Sequence, residues 1–333
     1  MNSYGFPSML QYSRLNTSIA DTKAKAEAAR IEVVTGRIAD LEAELGGSVG
    51  DAQLLRKAIS DVELMQAATQ RSLGRAQIAQ VALTRSTDGV ETNATNMLSA
   101  IGRNDEQSIN IAATQAGLQL DAAISAFNTR YEGRSLFSGD ATNQPSLADA
   151  ETLLTDIRAI FAAAPDAATR EADLDTYFND PAGGFATNIY LGGDGIAPRT
   201  EISDGELINY SAKADEQAVK DLLRGLSTAV IANENTTWPD REQALTRAAA
   251  GMIEATEDLV TIRARVGAAE ERMVAADTRL EAEATALGAT YNERTARDPY
   301  EAASMLQQLE SQLDASYLVT ARISQLSFVN YVR

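Results

Sequence analysis

The sequence predicts a mainly α-helical protein: a long antiparallel bundle or coiled coil of the N- and C-terminal arms, with a small α+β domain inserted in the middle. Hydrophobic residues make up 44% of its 333 residues, yet aromatic residues make up only 5%. Alanine runs through most long segments, and it is the best helix former. Apolar residues recur at helical spacing along both arms, whereas prolines concentrate between them.

The N-terminal arm predicts three helices. Apolar residues spaced three and four apart predict a coiled-coil seam inside the chain, formed by Ile31, Val34, Ile38, Leu41 and Leu45 and ended by Gly46-Gly47. A second apolar pattern begins near Asp51 and, if continuous to Gly102, predicts a helix about 75 Å long. The third helix begins near Ile109 and is expected to end near Gly133.

The middle of the chain has a different pattern. Four of the seven prolines lie between residues 138 and 212. Residues 149–164 predict a helix, and residues 188–191, 196–202 and 206–210 predict short strands. Glycine-rich turns at residues 192–195 and 204–205 are typical of hairpins. Residues 145–211 are therefore predicted to form a small outward-facing domain.

The C-terminal arm predicts helices over residues 214–231, 240–291 and from Asp298 onward. Asp298 is a predicted N-cap, and Pro299 occupies the first helical position, which is a strong helix start. The predicted organisation is a terminal assembly region (1–45 with 295–333), a rod of long helices (46–144 with 212–294) and the inserted domain.

Both ends of the chain lack acidic residues. Residues 1–20 and 315–333 contain no Asp or Glu, where random placement would put about five or six. Helices that are apolar on most faces must be buried on most faces, so we expect the ends to join copies of the protein. The predicted assembly interface consists of Tyr4, Phe6, Met9, Leu10, Leu15, Ile19, Leu306, Leu309, Leu313, Tyr317, Ile323, Leu326, Phe328, Val329 and Tyr331.

Composition disfavours most other classes of function. The chain has no His and no Cys, which removes the usual general base, thiolate nucleophile and transition-metal ligands. A net charge of -18 argues against a nucleic-acid partner, and no apolar run is long enough for a membrane helix. The carboxylates of Asp194, Asp204 and Glu206 are expected to be solvated turn residues. We predict no catalytic, cofactor-binding or metal-binding residues and no secretory signal peptide at the N-terminus.

Four segments resemble flagellin and its relatives. The run from Asp298 through Gln307-Gln308-Leu309 to Leu313, with Ala315-Ser316-Tyr317, is similar to the C-terminal signature of that family. Arg265 to Arg272 resembles its Gly-Ala and Arg motif, and Val34-Thr35-Gly36-Arg37 resembles its Ser/Thr-Gly-Lys/Arg turn. Arg134 to Gly139 resembles the form found in hook-filament junction proteins. The predicted continuation of the first seam past Arg37 favours that branch over flagellin.

The resemblance implies a structural subunit in a ring that joins hook to filament. Its implied partners are copies of itself, a neighbouring hook-associated protein, flagellin and an export chaperone that contacts Leu309, Leu313 and Tyr317. It further implies an extracellular location, reached through the flagellar type III apparatus without a cleaved signal peptide. The alternatives are a filament-forming flagellin, a cytosolic helical scaffold retained in the cell, and an enzyme using a carboxylate pair in the inserted domain.

Overall fold

The computed structural model describes residues 9–195, 198–203, 205–234, 238 and 240–331, with side chains described between residues 13 and 322. Its helices are α1 (Met9–Thr35), α2 (Leu41–Leu45), α3 (Val49–Ser86), α4 (Val90–Gly102), α5 (Glu106–Phe127), α6 (Ala150–Ala163), α7 (Ala167–Asn179), α8 (Gln217–Glu234), α9 (Arg241–Thr295) and α10 (Pro299–Tyr331). The strands are β1 (Arg130–Tyr131), β2 (Arg134–Ser135), β3 (Arg199–Ser203) and β4 (Glu206–Asn209). The predicted mainly helical fold with a small α+β part is confirmed.

The chain divides into two compact units, and the boundaries fall within α3 and α9. The terminal unit comprises the residues up to Glu63 and those from Ala282 onward, and the central unit comprises Leu64–Glu281. In the terminal unit α1 packs along α10. In the central unit α5 packs against α4 and α8, and α8 packs against α6 and α7.

The central unit has one continuous apolar core. Phe127 and Phe137 are fully buried and meet edge to face at 5.4 Å between ring centroids. Helices approach closely where residues are small: a Cβ added at Gly225 would lie 2.7 Å from Cγ of Met252 and 3.0 Å from the carbonyl oxygen of Ala248. Small residues thus let the helices approach closely at some points of this core, while phenylalanines fill others.

Residues 145–211 belong to the central core. Leu153 and Ile157 of α6 and Ile202 and Ile208 of the β3–β4 hairpin join the same buried cluster as α5 and α8. The hairpin agrees with the prediction, since Thr200 pairs with Ile208 and Gly205 takes a left-handed turn conformation at φ 75°. The strand expected at 188–191 is wrong: a π-helical turn occupies Phe185–Ile189. The bounds expected for a separate inserted domain do not coincide with either unit boundary.

The helical arms differ from the prediction at three breaks. Gly89, with φ 70°, separates α3 from α4, so the expected 75 Å helix is wrong. α5 ends at Phe127 instead of near Gly133, because the Asn128 side chain accepts hydrogen bonds from the backbone N–H groups of Ser146 and Leu147, both at 2.9 Å. α1 ends at Thr35, where Gly36 has φ 66°, so the seam predicted to run unbroken to Leu45 is also wrong.

Candidate assembly surface

The terminal unit is built on an antiparallel pair of helices with matching heptad seams. Covered positions alternate at spacings of four and three along each helix: Leu15, Ile19, Thr22, Ala26, Ala29 and Val33 on α1, and Ala302, Leu306, Leu309, Leu313, Ser316 and Thr320 on α10. Leu309 packs against Ala26 and Ala29, with Leu306 and Leu313 beside them. Small residues on α1 thus receive the larger leucines of α10.

This pairing covers part of the predicted interface within a single chain. Leu309, a predicted interface residue, is only 9% exposed, because it already packs on α1 of the same chain. Leu15, Ile19, Leu306 and Leu313 are half-buried along the same seam. Leu309 is therefore covered by its own chain in the monomer, and its part in an interface between copies stays a prediction.

Apolar side chains remain exposed outside the seam. Tyr317, Leu318 and Val319 are consecutive on α10 and are 51%, 57% and 46% exposed. Since consecutive helical positions are about 100° apart, these three side chains occupy most of the helix circumference that α1 does not cover. On α1, Ile31 and Val34 are also exposed, although the predicted seam placed them inside a coiled coil. The pair therefore buries one face of α10 and leaves others available for contacts.

The rest of the predicted interface lies outside the described side chains. Met9 and Leu10 fall within the α1 backbone, and the α10 backbone includes Ile323, Leu326, Phe328, Val329 and Tyr331. Tyr4 and Phe6 lie outside the described residues altogether. These positions stay predictions.

A backbone connection fixes the end of α1 to the start of α10. The N–H of Ile38 donates to the carbonyl oxygen of Thr295 at 2.9 Å, and the N–H of Arg297 donates to that of Gly36 at 2.9 Å. The Arg37 guanidinium donates to the side-chain oxygen of Asn292 at 2.8 Å. The Thr35-Gly36-Arg37 motif, noted in the sequence only for its resemblance, is thus the turn that aligns the two helices.

Carboxylates surround Arg297 next to this turn. Its guanidinium lies 3.3 Å from an oxygen of Glu32 and 2.9 Å from one of Glu44. Glu32 is itself 9% exposed and accepts the backbone N–H of Ala39 at 3.0 Å. The sequence analysis did not predict this network. The only sequence feature that points to it is Arg297, a basic residue directly before the N-cap Asp298. The Asp298 carboxylate accepts a hydrogen bond from the backbone N–H of Tyr300 at 2.8 Å.

The described residues hold little that suggests small-molecule chemistry. Within them there is no group of three or more acidic side chains placed to hold a metal ion, and none of the helices there has the length and apolarity to cross a membrane. Asp194 is exposed, as expected. Glu206 forms an ion pair with Arg272 at 2.7 Å, and Asp204 lies outside the described residues.

Comparison with known proteins agrees with this geometry. Residues 250–332, which include most of α9 and all of α10, match the family model of the bacterial flagellin C-terminal helical region. The fold matches a solved structure from Vibrio parahaemolyticus that is assigned to a flagellar hook-associated protein, with a TM-score of 0.54 and 10% identity. That match covers 76% of this chain and 99% of the other. No curated protein sequence matches the chain. The predicted resemblance to the flagellin family is thus confirmed.

Proposed function

We propose, on the premise of this flagellin-family resemblance, that the chain is a structural, non-enzymatic subunit of the bacterial flagellum that assembles outside the cell with copies of itself. The observation that carries the proposal is the α1–α10 pair, which buries a single seam while Tyr317, Leu318 and Val319 stay exposed. Apolar surface of this kind marks an interaction site. A polymer of such pairs would cover it.

Within the flagellum, the position we propose is a ring at the hook-filament junction. The similarity of Arg134 to Gly139 to junction proteins and the fold shared with a hook-associated protein support this position. The neighbours would then be another hook-associated protein on the hook side and flagellin on the filament side.

The second candidate is a filament-forming flagellin. Residues 250–332 match a flagellin region, and α1 ends at Thr35, so the unbroken seam that favoured a junction protein is not present. A junction subunit and a filament subunit differ in where they lie along the flagellum and in how many copies it contains.

Antibody labelling of detached flagella distinguishes the two candidates. For a junction ring we expect label at the filament base alone, and deletion of the gene should leave hooks without filaments while flagellin escapes into the medium. Label along the whole filament would assign the chain as a flagellin. Label confined to the cytoplasm would refute both and favour a helical scaffold.

Export without a cleaved signal peptide and a chaperone for the C-terminal helix belong to the same proposal. The predicted chaperone contact comprises Leu309, Leu313 and Tyr317. Leu309 is covered by α1 in the folded monomer, whereas Tyr317 is exposed. We therefore propose that the chaperone binds α10 in place of α1, before the helix pair has formed.

A further inference from the structure

A second surface of the molecule, in the central unit, is free of charge. No charged residue occurs between Glu91 and Arg103 in α4 or between Glu106 and Asp121 in α5. These 25 positions would carry about six charged residues at the average of the chain. For comparison, residues 254–278 of α9, also 25 positions, carry nine.

Burial does not explain the absence of charge. Besides Gly102, ten of the uncharged positions on α4 and α5 are exposed: Thr92, Thr95, Asn96, Ser99, Gln107, Asn110, Ile111, Thr114, Gln115 and Leu118. Ile111 and Leu118 are 63% and 61% exposed. They are seven residues apart, two helical turns, and therefore lie on one face of α5. We call these ten residues the uncharged face.

The uncharged face borders a preformed groove. Thr92, Asn96 and Ser99 of α4 and Ile111 and Gln115 of α5 line a groove of about 680 Å³, whose lining also includes one acidic and one basic residue, Asp88 and Arg103. Asn93 forms part of it and donates to the side-chain oxygen of Gln119 and to the carbonyl oxygen of Ala112, both at 3.0 Å. These buried hydrogen bonds hold α4 against α5, so a partner would meet a surface that needs little reordering.

We infer that the uncharged face is a lateral contact between neighbouring copies of this chain, separate from the terminal helices. Each copy carries 47 acidic and 29 basic residues, so two copies that meet through ordinary surface repel each other. Contact through a face without carboxylates avoids that repulsion. Polar uncharged groups around two apolar anchors also match the composition of interface centres, where charged residues are depleted. We assign the neighbour on this face as a second copy of the chain. Two copies both carry the net charge of -18, so their contact benefits from a surface without charged residues.

The absence of native cysteine allows a direct test. Ile111→Cys places one thiol on the uncharged face, and Leu207→Cys places a matched thiol on the β3–β4 hairpin, where Leu207 is 57% exposed. Labelling with a maleimide is compared between purified monomer and detached flagella. We expect the residue-111 thiol to react at least tenfold more slowly in flagella, and the residue-207 thiol to react equally in both. Equal reactivity at residue 111 would overturn the inference.

The identity of the neighbour is tested by cross-linking from the same thiol. A photoreactive maleimide at residue 111 should yield a product of twice the 35.5 kDa chain mass, containing peptides of this chain alone. A product joined to another flagellar protein would overturn the assignment to a second copy while leaving the proposed function intact. The inference rests on that function, so failure to recover the chain in flagella would refute both.

Discussion

At the scale of single residues, the buried Arg170 of the central core has the carboxylate of Asp240 as its charged partner. The residue is 5% exposed, and its guanidinium lies 4.8 Å from the ring centroid of Phe161 and donates a hydrogen bond to Asp240. This hydrogen bond and the positive charge of Arg170 hold the pKa of Asp240 below its ordinary value. A carboxyl with a lowered pKa stabilises the fold above its unfolded-state pKa, and that stabilisation is lost as pH falls through the folded-state pKa.

We therefore expect Asp240→Asn to destabilise the central unit by about 2 kcal/mol at pH 7, because the buried Arg170 loses its charged partner. The difference from the parent should begin to shrink below about pH 4, where the unfolded parent takes up the proton, and should disappear only below the lowered folded-state pKa of Asp240. Urea unfolding at pH 7 and pH 3 measures both effects. Asp173→Asn, at an exposed site on α7, is the control. A loss that is the same at both pH values would show that the carboxylate charge is not the cause.

Leu318 and Leu309 of α10 separate assembly from folding. Leu318→Asp alters an exposed position, so the monomer should lose no more than about 0.5 kcal/mol, yet assembly should fail because a charge would be buried at every contact. Leu309→Asp puts the charge between Ala26 and Ala29 and should cost about 3 kcal/mol or more in the monomer itself. Circular dichroism melts and motility of complemented cells provide the readouts. Normal motility with Leu318→Asp would remove residue 318 from the proposed interface.

At the scale of elements, the pairing of α1 with α10 tests the proposed chaperone contact. If the chaperone takes the place of α1, fixing the two helices together should prevent binding. Ala26→Cys with Leu309→Cys, joined by a short bismaleimide, does this in a chain without other thiols. We expect the linked protein to bind purified chaperone at least tenfold more weakly than either single-cysteine variant treated alike. Undiminished binding would mean that the chaperone contacts an outer face of α10.

Helices with strong periodicity could be predicted from the sequence, whereas their interruptions could not. The Asp298-Pro299 start of α10 was correct, since an N-cap and its first-turn proline act locally. The break at Gly89 was missed, because one glycine is tolerated in a helix unless the tertiary fold requires positive φ. By spacing alone, Ile31 and Val34 could belong to the seam as readily as Ala29 and Val33. The choice between them is made by Leu309, 280 residues away in the sequence.

At the scale of the whole molecule, the two units should differ in stability. The terminal unit relies on a long two-helix pair with an alanine-rich seam, while the central unit has a continuous core that includes several phenylalanines. Limited proteolysis of the monomer should therefore remove the chain ends and leave a fragment near residues 64–281. The less stable unit opens locally, and is cut, while the central unit stays folded. Mass spectrometry of the resistant fragment gives its bounds. Ends that persist as long as the fragment would contradict the proposal that they complete their packing only on assembly.

The division of the chain also limits which parts can be removed. From sequence, residues 145–211 are predicted to form a separate inserted domain, because prolines and hairpin turns set them apart, and replacing such a domain with a short linker would leave the rest of the chain folded. In the structure Leu153, Ile157 and Phe178 are fully buried in the central core, so the same replacement would expose α5 and α8. Composition reveals a change of secondary structure, but it does not show whether the segment shares its core with its neighbours.

The antiparallel pairing of α1 with α10 also sets an order of events during synthesis. Ala26 meets Leu309 across more than 280 residues of intervening chain, so the ribosome must have made nearly the whole chain before the pair can close. Contacts between such distant residues form slowly. Each new chain therefore passes through an interval in which α1 has no helical partner and the central unit can already fold. Under the proposed chaperone contact, α10 must be bound during that interval, before it pairs with α1.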